Sequence, residues 1–210
     1  GGINLPDTDL SLSPLTEADL AQLDFAVRHA DLVGMSFVRR PGDVAALHAE
    51  LARRGGEALG VVLKIETRAA FENLPSLLLA ALGRPPAGVM VARGDLGVEL
   101  GFERMAEVQE EILWLAEAAH LPVIWATQVL ETLTKTGTPT RGEVTDAAMS
   151  ARAECVMLNK GPFVVEAVRF IDSLMMRMRD HNHKKTPMLR RLKVSEGRWR
   201  DWPAANGVAK

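Results

Sequence analysis

A single cysteine, Cys155, stands in a chain of 210 residues. It cannot close an internal disulfide, so a reducing, cytoplasmic compartment is the natural expectation. In the run AECVMLNK it reads as a small buried hydrophobe rather than as a nucleophile. An excess of either charge is also lacking: 25 Lys and Arg stand against 27 Asp and Glu, a net charge of −2. Nothing in that balance recommends nucleic acid or an anionic membrane surface as a partner. No apolar run approaches the ~18 residues that would span a bilayer, and no charged-then-apolar leader precedes the first turn. The five histidines show neither HxH nor HExxH spacing, so no zinc site is expected. An initiator methionine is missing too. The opening GGINLPDTDL reads as a processed product or an excerpt.

What is present suits one sizeable core, with 47% hydrophobic and 25% charged residues. Five short runs, 31–38 (DLVGMSFV), 59–66 (LGVVLKIE), 87–94 (AGVMVARG), 121–127 (LPVIWAT) and 153–159 (AECVMLN), are continuously apolar. That is how strands covered on both faces read. Helical patterns lie between them. Residues 16–30 open with Thr16 and Asp19 in capping-box spacing, and residues 41–54 open on Pro41, a favoured first helical residue. Further helices are expected over 72–82, 102–119, 141–151 and 163–180. Strand starts recur at the length of a βα unit without repeated sequence, so a solenoid is not indicated. The pattern implies an α/β fold with a parallel sheet, either doubly wound or part of a (β/α)₈ barrel. Five units are too few to close a barrel, which takes about 250 residues. The expected organisation is a βα region over residues 1–180, followed by a basic, weakly ordered or partner-dependent extension over 181–210.

In parallel α/β folds ligands bind at the carboxyl ends of the strands, and the unusual polar residues collect there. Lys64 and Glu66 are two apart in LGVVLKIE and share a side of the strand. Arg93 and Asp95 repeat that spacing at a point where the backbone can already be turning, and Trp125 and Thr127 have matching parity. The first strand ends Ser36-Phe37-Val38-Arg39 and the last ends Asn159-Lys160-Gly161. Two carboxylates converging from adjacent strands repel, and a hard divalent cation, Mg²⁺ or Mn²⁺, would relieve that repulsion. Lys64 beside it would supply a compact positive charge for a transferring phosphoryl group. Gly94-Asp95-Leu96-Gly97, entering a loop and then a helix, exposes backbone N–H groups suited to a small carboxylate. Each feature taken singly has a plainer reading. Lys-x-Glu is most often a solvated strand end, Arg-Gly-Asp-Leu-Gly a surface turn, and Thr127 a residue satisfying nearby backbone. Met149, Met175, Met176 and Met178 read as packing. The coincidence of three successive strand ends carries the functional reading.

These residues resemble the second half of the pyruvate kinase catalytic barrel. The matching stretches are GINLPDTDL, LTEADLAQLDFAV, SFVR, LKIE, GVMVARGDLGVEL, PVIWATQVLETL, GTPTRGEVTDAAM and CVMLNKG, in the family's order over roughly residues 1–170. The resemblance implies five of the eight strands of a (β/α)₈ (TIM) barrel. It implies Glu66 and Asp95 as ligands of an essential Mg²⁺ or Mn²⁺, and Lys64 as the group neutralising phosphoryl charge. The backbone around Ala92, Arg93, Gly94 and Asp95 would hold the carboxylate of phosphoenolpyruvate or pyruvate. Thr127 would stand near the face where the enolate is protonated, and Ser36 and Phe37 would line the pocket beside Lys64. The implied reaction is phosphoryl transfer from phosphoenolpyruvate to ADP, giving ATP and, through a Mg-stabilised enolate, pyruvate in glycolysis. K⁺ is expected for the family, but its ligands lie in strands without a counterpart here. The implied partners are these small molecules; the composition gives no reason to expect nucleic acid or membrane, and a homo-oligomer is left open.

The departures narrow this expectation. The family's first three barrel strands, lid domain and C-terminal regulatory domain have no counterpart in the sequence. Asn159-Lys160-Gly161-Pro162 replaces a Ser-Gly-Glu-Thr stretch, which bears on the proton relay. Trp125 replaces a generally small residue and, by its parity with Thr127, is expected to fill volume near the site or be displaced outward. Strand edges at 31–38 and 153–159 would be unpaired in isolation, which favours an excerpt over a truncated paralogue. Two other functions compete with the phosphotransferase. One is a metal-dependent lyase or aldolase acting through a pyruvate enolate; the other is a non-catalytic scaffold module.

Overall fold

The computed structural model describes residues 13–179. Its five strands are β1 (Leu32–Met35), β2 (Gly60–Ile65), β3 (Ala87–Ala92), β4 (Val123–Ala126) and β5 (Cys155–Val156). They form one parallel sheet in chain order, each strand beside its predecessor. That order settles the alternative left by the sequence. A doubly wound sheet reverses its strand order at a switch point, whereas a barrel winds in one direction throughout. With right-handed crossovers, one direction of winding puts every helix on the same face.

Burial follows from that geometry. Residues in register share a face. The rows Leu63–Val89–Val123 and Ile65–Val91–Trp125 are fully buried against the helices. The alternate row Lys64–Met90–Ile124–Cys155 lies on the other face and is half-buried or exposed. Among the described residues, then, the apolar runs are covered by helices on one face only. Cys155 is exposed rather than buried, because its register with Ile124 turns it to the face without helices.

The helices are α1 (Glu17–His29), α2 (Pro41–Arg53), α3 (Arg68–Glu72), α4 (Leu74–Leu82), α5 (Arg93–Leu100), α6 (Met105–Ala118), α7 (Glu131–Thr136), α8 (Arg141–Met149) and α9 (Val164–Met178). Several begin as the sequence dictates. Asp19 N–H donates to Thr16 Oγ1 at 3.2 Å, and Thr16 N–H donates back to Asp19 Oδ2 at 2.8 Å, completing the capping box of α1. Pro41 opens α2, where buried Asp43 accepts from the Arg39 and Arg40 amides at 2.9 and 3.1 Å. Helix α4 packs between α2 and α6, and α9 closes over α7 and α8. None of these helices is long and apolar enough to cross a membrane.

Further sequence expectations need correction. The third strand stops at Ala92 instead of continuing to residue 94, because Arg93-Gly94-Asp95 already form the first turn of α5. The fifth strand is two residues long, not seven. Helix α7 was not expected, since its six residues are too few to show a helical period. The expected extension over 181–210 lies outside the described residues.

Candidate functional site

The carboxyl ends of β1 to β4 bring most of the expected residues together. At the first two, Lys64 Nζ donates to Ser36 Oγ at 2.8 Å and pairs with Glu66 Oε1 at 2.7 Å. The other Glu66 oxygen accepts the Phe37 backbone N–H at 2.6 Å. Glu66 is only 2% exposed, so this is a buried carboxylate held by one cation and one amide. Phe37 has φ of 52°, a region that a bulky side chain rarely occupies. That twist accompanies the donation of its N–H to Glu66. The sequence pointed to Ser36 and Phe37 as pocket lining; the backbone amide of Phe37 was invisible to it.

At the third and fourth ends, β3 passes directly into α5. Gly94 N–H sits in the first turn, where a helix leaves amides without internal partners, and donates to Thr127 Oγ1 at 2.8 Å. A hydroxyl that accepts in this way keeps its own O–H to donate. The eight-residue helix adds the positive end of its dipole to the same place. Helical geometry also separates Arg93 from Asp95, which alternation had put on one side. The Arg93 side chain crosses to β4, donating Nε to Ala126 O at 3.1 Å and Nη2 to Thr127 O at 2.7 Å. Its Nη1 pairs with Asp146 of α8. Asp146 carried no assigned role in the sequence, although it stands in the motif PTRGEVTDAA.

Trp125 takes the outward of its two expected placements. It lies in register with Val91 on the helix-covered face and is fully buried there, under the Arg93 guanidinium at 5.0 Å. Parity failed because Thr127 has φ of 63° and Gln128 has φ of 56°. Strand alternation does not carry across residues in the left-handed region. Thr127 therefore reaches the strand-end site while Trp125 faces away from it.

The replaced loop is fixed by packing. A Cβ on Gly161 would lie 2.2 Å from the Thr134 carbonyl oxygen, so 159–162 rests directly on α7. Glu143 organises the same region. It accepts from the Leu133 amide at 3.0 Å and from Thr140 N–H and Oγ1, each at 3.0 Å. Burial raises its carboxyl, but these donors together with Thr132 outweigh it and hold the group below its ordinary value.

The donor chemistry can be tested against a divalent cation. Among the described residues no three His, Cys, Asp or Glu side chains converge as a self-sufficient cage. Mg²⁺ does not need one; it takes one or two carboxylates and completes its shell with water and substrate oxygens. Pairing of Ile65 with Val91 sets Glu66 beside the end of β3, three residues before Asp95. A carboxylate has about four lone-pair positions, of which Lys64 and Phe37 take two. The buried Glu66 carboxylate is the kind of hard oxygen donor that such a cation takes.

The family model described as "Pyruvate kinase, barrel domain" matches residues 1–168. A pyruvate kinase of Thermotoga maritima is 40% identical over 148 residues, covering 70% of this chain and 30% of the relative. One from Mycobacterium intracellulare is 37% identical over 194 residues, covering 89% and 40%. One from Hypocrea jecorina is 37% identical over 174 residues, covering 80% and 31%. The chain thus spans between 30% and 40% of the length of these relatives.

Proposed function

The chain belongs to the pyruvate kinase family through its barrel domain, and from that premise we propose that it carries one half of a phosphotransferase site. Under this reading a phosphoryl group passes from the enol oxygen of phosphoenolpyruvate to ADP. The methylene carbon of the enolate then takes a proton to give pyruvate. One observation supports it above the others. Lys64, Glu66 and the Phe37 amide form one cluster, Gly94 and Thr127 another, and the two stand at the same end of neighbouring parallel strands.

The roles follow from the donors each group retains. Lys64 has three ammonium protons and two are directed to Ser36 and Glu66. The third remains for a phosphoryl oxygen. The N-terminal turn of α5 faces the three-carbon carboxylate, where backbone donors hold charge without reorganising. Thr127, with its O–H left to donate, stands at the protonation side. Glu66 and Asp95 would hold Mg²⁺ or Mn²⁺, which when bound supplies positive charge to phosphoryl and enolate oxygens. The same reading assigns the protein to glycolysis and the cytoplasm, and leaves K⁺ to residues outside the described strands.

Mn²⁺ titration of the intact protein, with Glu66→Gln and Asp95→Asn beside it, tests the assignment. Each variant should lose at least about tenfold in affinity, since even outer-shell partners are worth that much. Pyruvate should form from phosphoenolpyruvate only when ADP is added. Unchanged Mn²⁺ binding in both variants would favour the scaffold reading, and ADP-independent carbon–carbon cleavage the lyase.

A further inference from the structure

Among the described residues Trp125 is the largest fully buried side chain, and its indole N–H has no hydrogen-bond partner there. A buried donor left unpaired is destabilising, and an apolar side chain of similar size would fill the volume without it. What the indole adds is its π face. That face lies under the guanidinium of Arg93, itself only 8% exposed, at 5.0 Å. Tryptophan is the strongest aromatic partner for a cation, more so away from water.

The guanidinium is the hub of the fourth strand end. It donates to the carbonyls of Ala126 and Thr127 and pairs with Asp146. Those carbonyls lead into two consecutive non-glycine residues at positive φ, Thr127 and Gln128. Such backbone persists only where its surroundings over-determine it. The Arg93 fork spans that segment from one side, and the Thr127 hydroxyl faces Gly94 N–H on the other.

We infer that Trp125 is a positioning residue: through its stack with Arg93 it fixes the Thr127 backbone and so holds the Thr127 hydroxyl against Gly94. Its effect on turnover rests on the phosphotransferase reading; the geometry itself needs no substrate. Gly94 supplies a direct probe. Its amide belongs to the first helical turn and has no intrahelical acceptor, so its protection from hydrogen exchange reports the bond to Thr127. The Val89 amide, bonded to Pro122 O at 2.9 Å, reports general stability of the sheet.

The experiment measures exchange at both amides in the intact protein. It compares Trp125→Phe, Trp125→Leu and a tetrafluorinated indole introduced at position 125. The fluorinated ring keeps the shape and removes the negative potential of the face, so it tests the stack even if Trp125→Leu does not fold. Gly94 exchange should rise about tenfold relative to Val89 for the fluorinated ring and for Leu, and less than about threefold for Phe. In turnover, the fluorinated protein should lose kcat by a similar factor with KM for phosphoenolpyruvate within about twofold. Equal changes at Gly94 and Val89, or a fluorinated protein matching the wild type, would reduce Trp125 to packing. A selective Gly94 change in a wild type without ADP-dependent turnover would leave the positioning role standing and remove the phosphotransferase reading.

Discussion

Replacing Lys64 by methionine removes the cation beside Glu66 while keeping the length of the stem. Glu66 is 2% exposed, and its remaining partner is the Phe37 amide at 2.6 Å. Breaking a buried ion pair by removing one partner costs roughly 3–5 kcal/mol. The retained amide bond puts the metal-free variant at the lower end, about 3 kcal/mol, because hydrogen bonds to charged groups are among the stronger ones. For a domain of this size each kcal/mol shifts Tm by roughly 2–4 °C, so the expected fall is about 6–12 °C. A divalent cation on the same carboxylate should supply the missing charge. At a hundredfold excess over its Kd, Mn²⁺ stabilises by about 2.7 kcal/mol, close to the whole deficit. The assay is thermal unfolding of Lys64→Met with and without Mn²⁺, alongside Glu66→Gln. Lys64→Met should melt low without metal, recover with it, and bind Mn²⁺ within a few fold of wild type while phosphoryl transfer is lost. Glu66→Gln should gain little from Mn²⁺. A metal-free Lys64→Met as stable as the wild type, or equal Mn²⁺ stabilisation of the two variants, would refute the shared counter-charge.

Two further predictions concern the scaffold of the site. Glu143 is held below its ordinary value near 4.5 by the donors of α7 and α8, so its stabilisation is complete above that pH and is lost as pH falls through the depressed folded value. Glu143→Gln should therefore destabilise at pH 7 by about 1–2 kcal/mol, with the difference shrinking in denaturant titrations as pH falls below the ordinary carboxyl value; a pH-independent difference would count against the carboxylate. Gly161→Ala would drive a Cβ to 2.2 Å from Thr134 O and 2.7 Å from its carbonyl carbon, both rigid backbone. It should cost about 1–3 kcal/mol as the 159–162 loop lifts from α7, and an unchanged Tm would show that the loop is not docked there.

The residues of the site were legible because each announces itself locally. Lys64 and Glu66 end an otherwise apolar run, and two residues of strand put both on one side. Their ion pair follows from that spacing. Phe37 and Asp146 were not legible as partners. The first acts through a backbone amide 29 residues from Glu66, and the second meets Arg93 from 53 residues away. The placements of Arg93 and Trp125 were left open in the sequence for one shared reason. Alternation does not carry past the strand ends, where Arg93 already belongs to α5 and Thr127 has turned to positive φ.

Local physics in the sequence determined the alternation of strand and helix, the caps at Thr16 and Pro41, and the gathering of polar residues at strand ends. These depend on neighbours within a few positions, through backbone sterics, capping bonds and hydrophobic period. Only the tertiary structure decided the single direction of winding, the register that sets Lys64 level with Met90 and Ile124, and the face on which Trp125 and Cys155 lie. Register and covered face are set by contacts between units some 30 residues apart, and no local period encodes which side of a strand the helices will occupy.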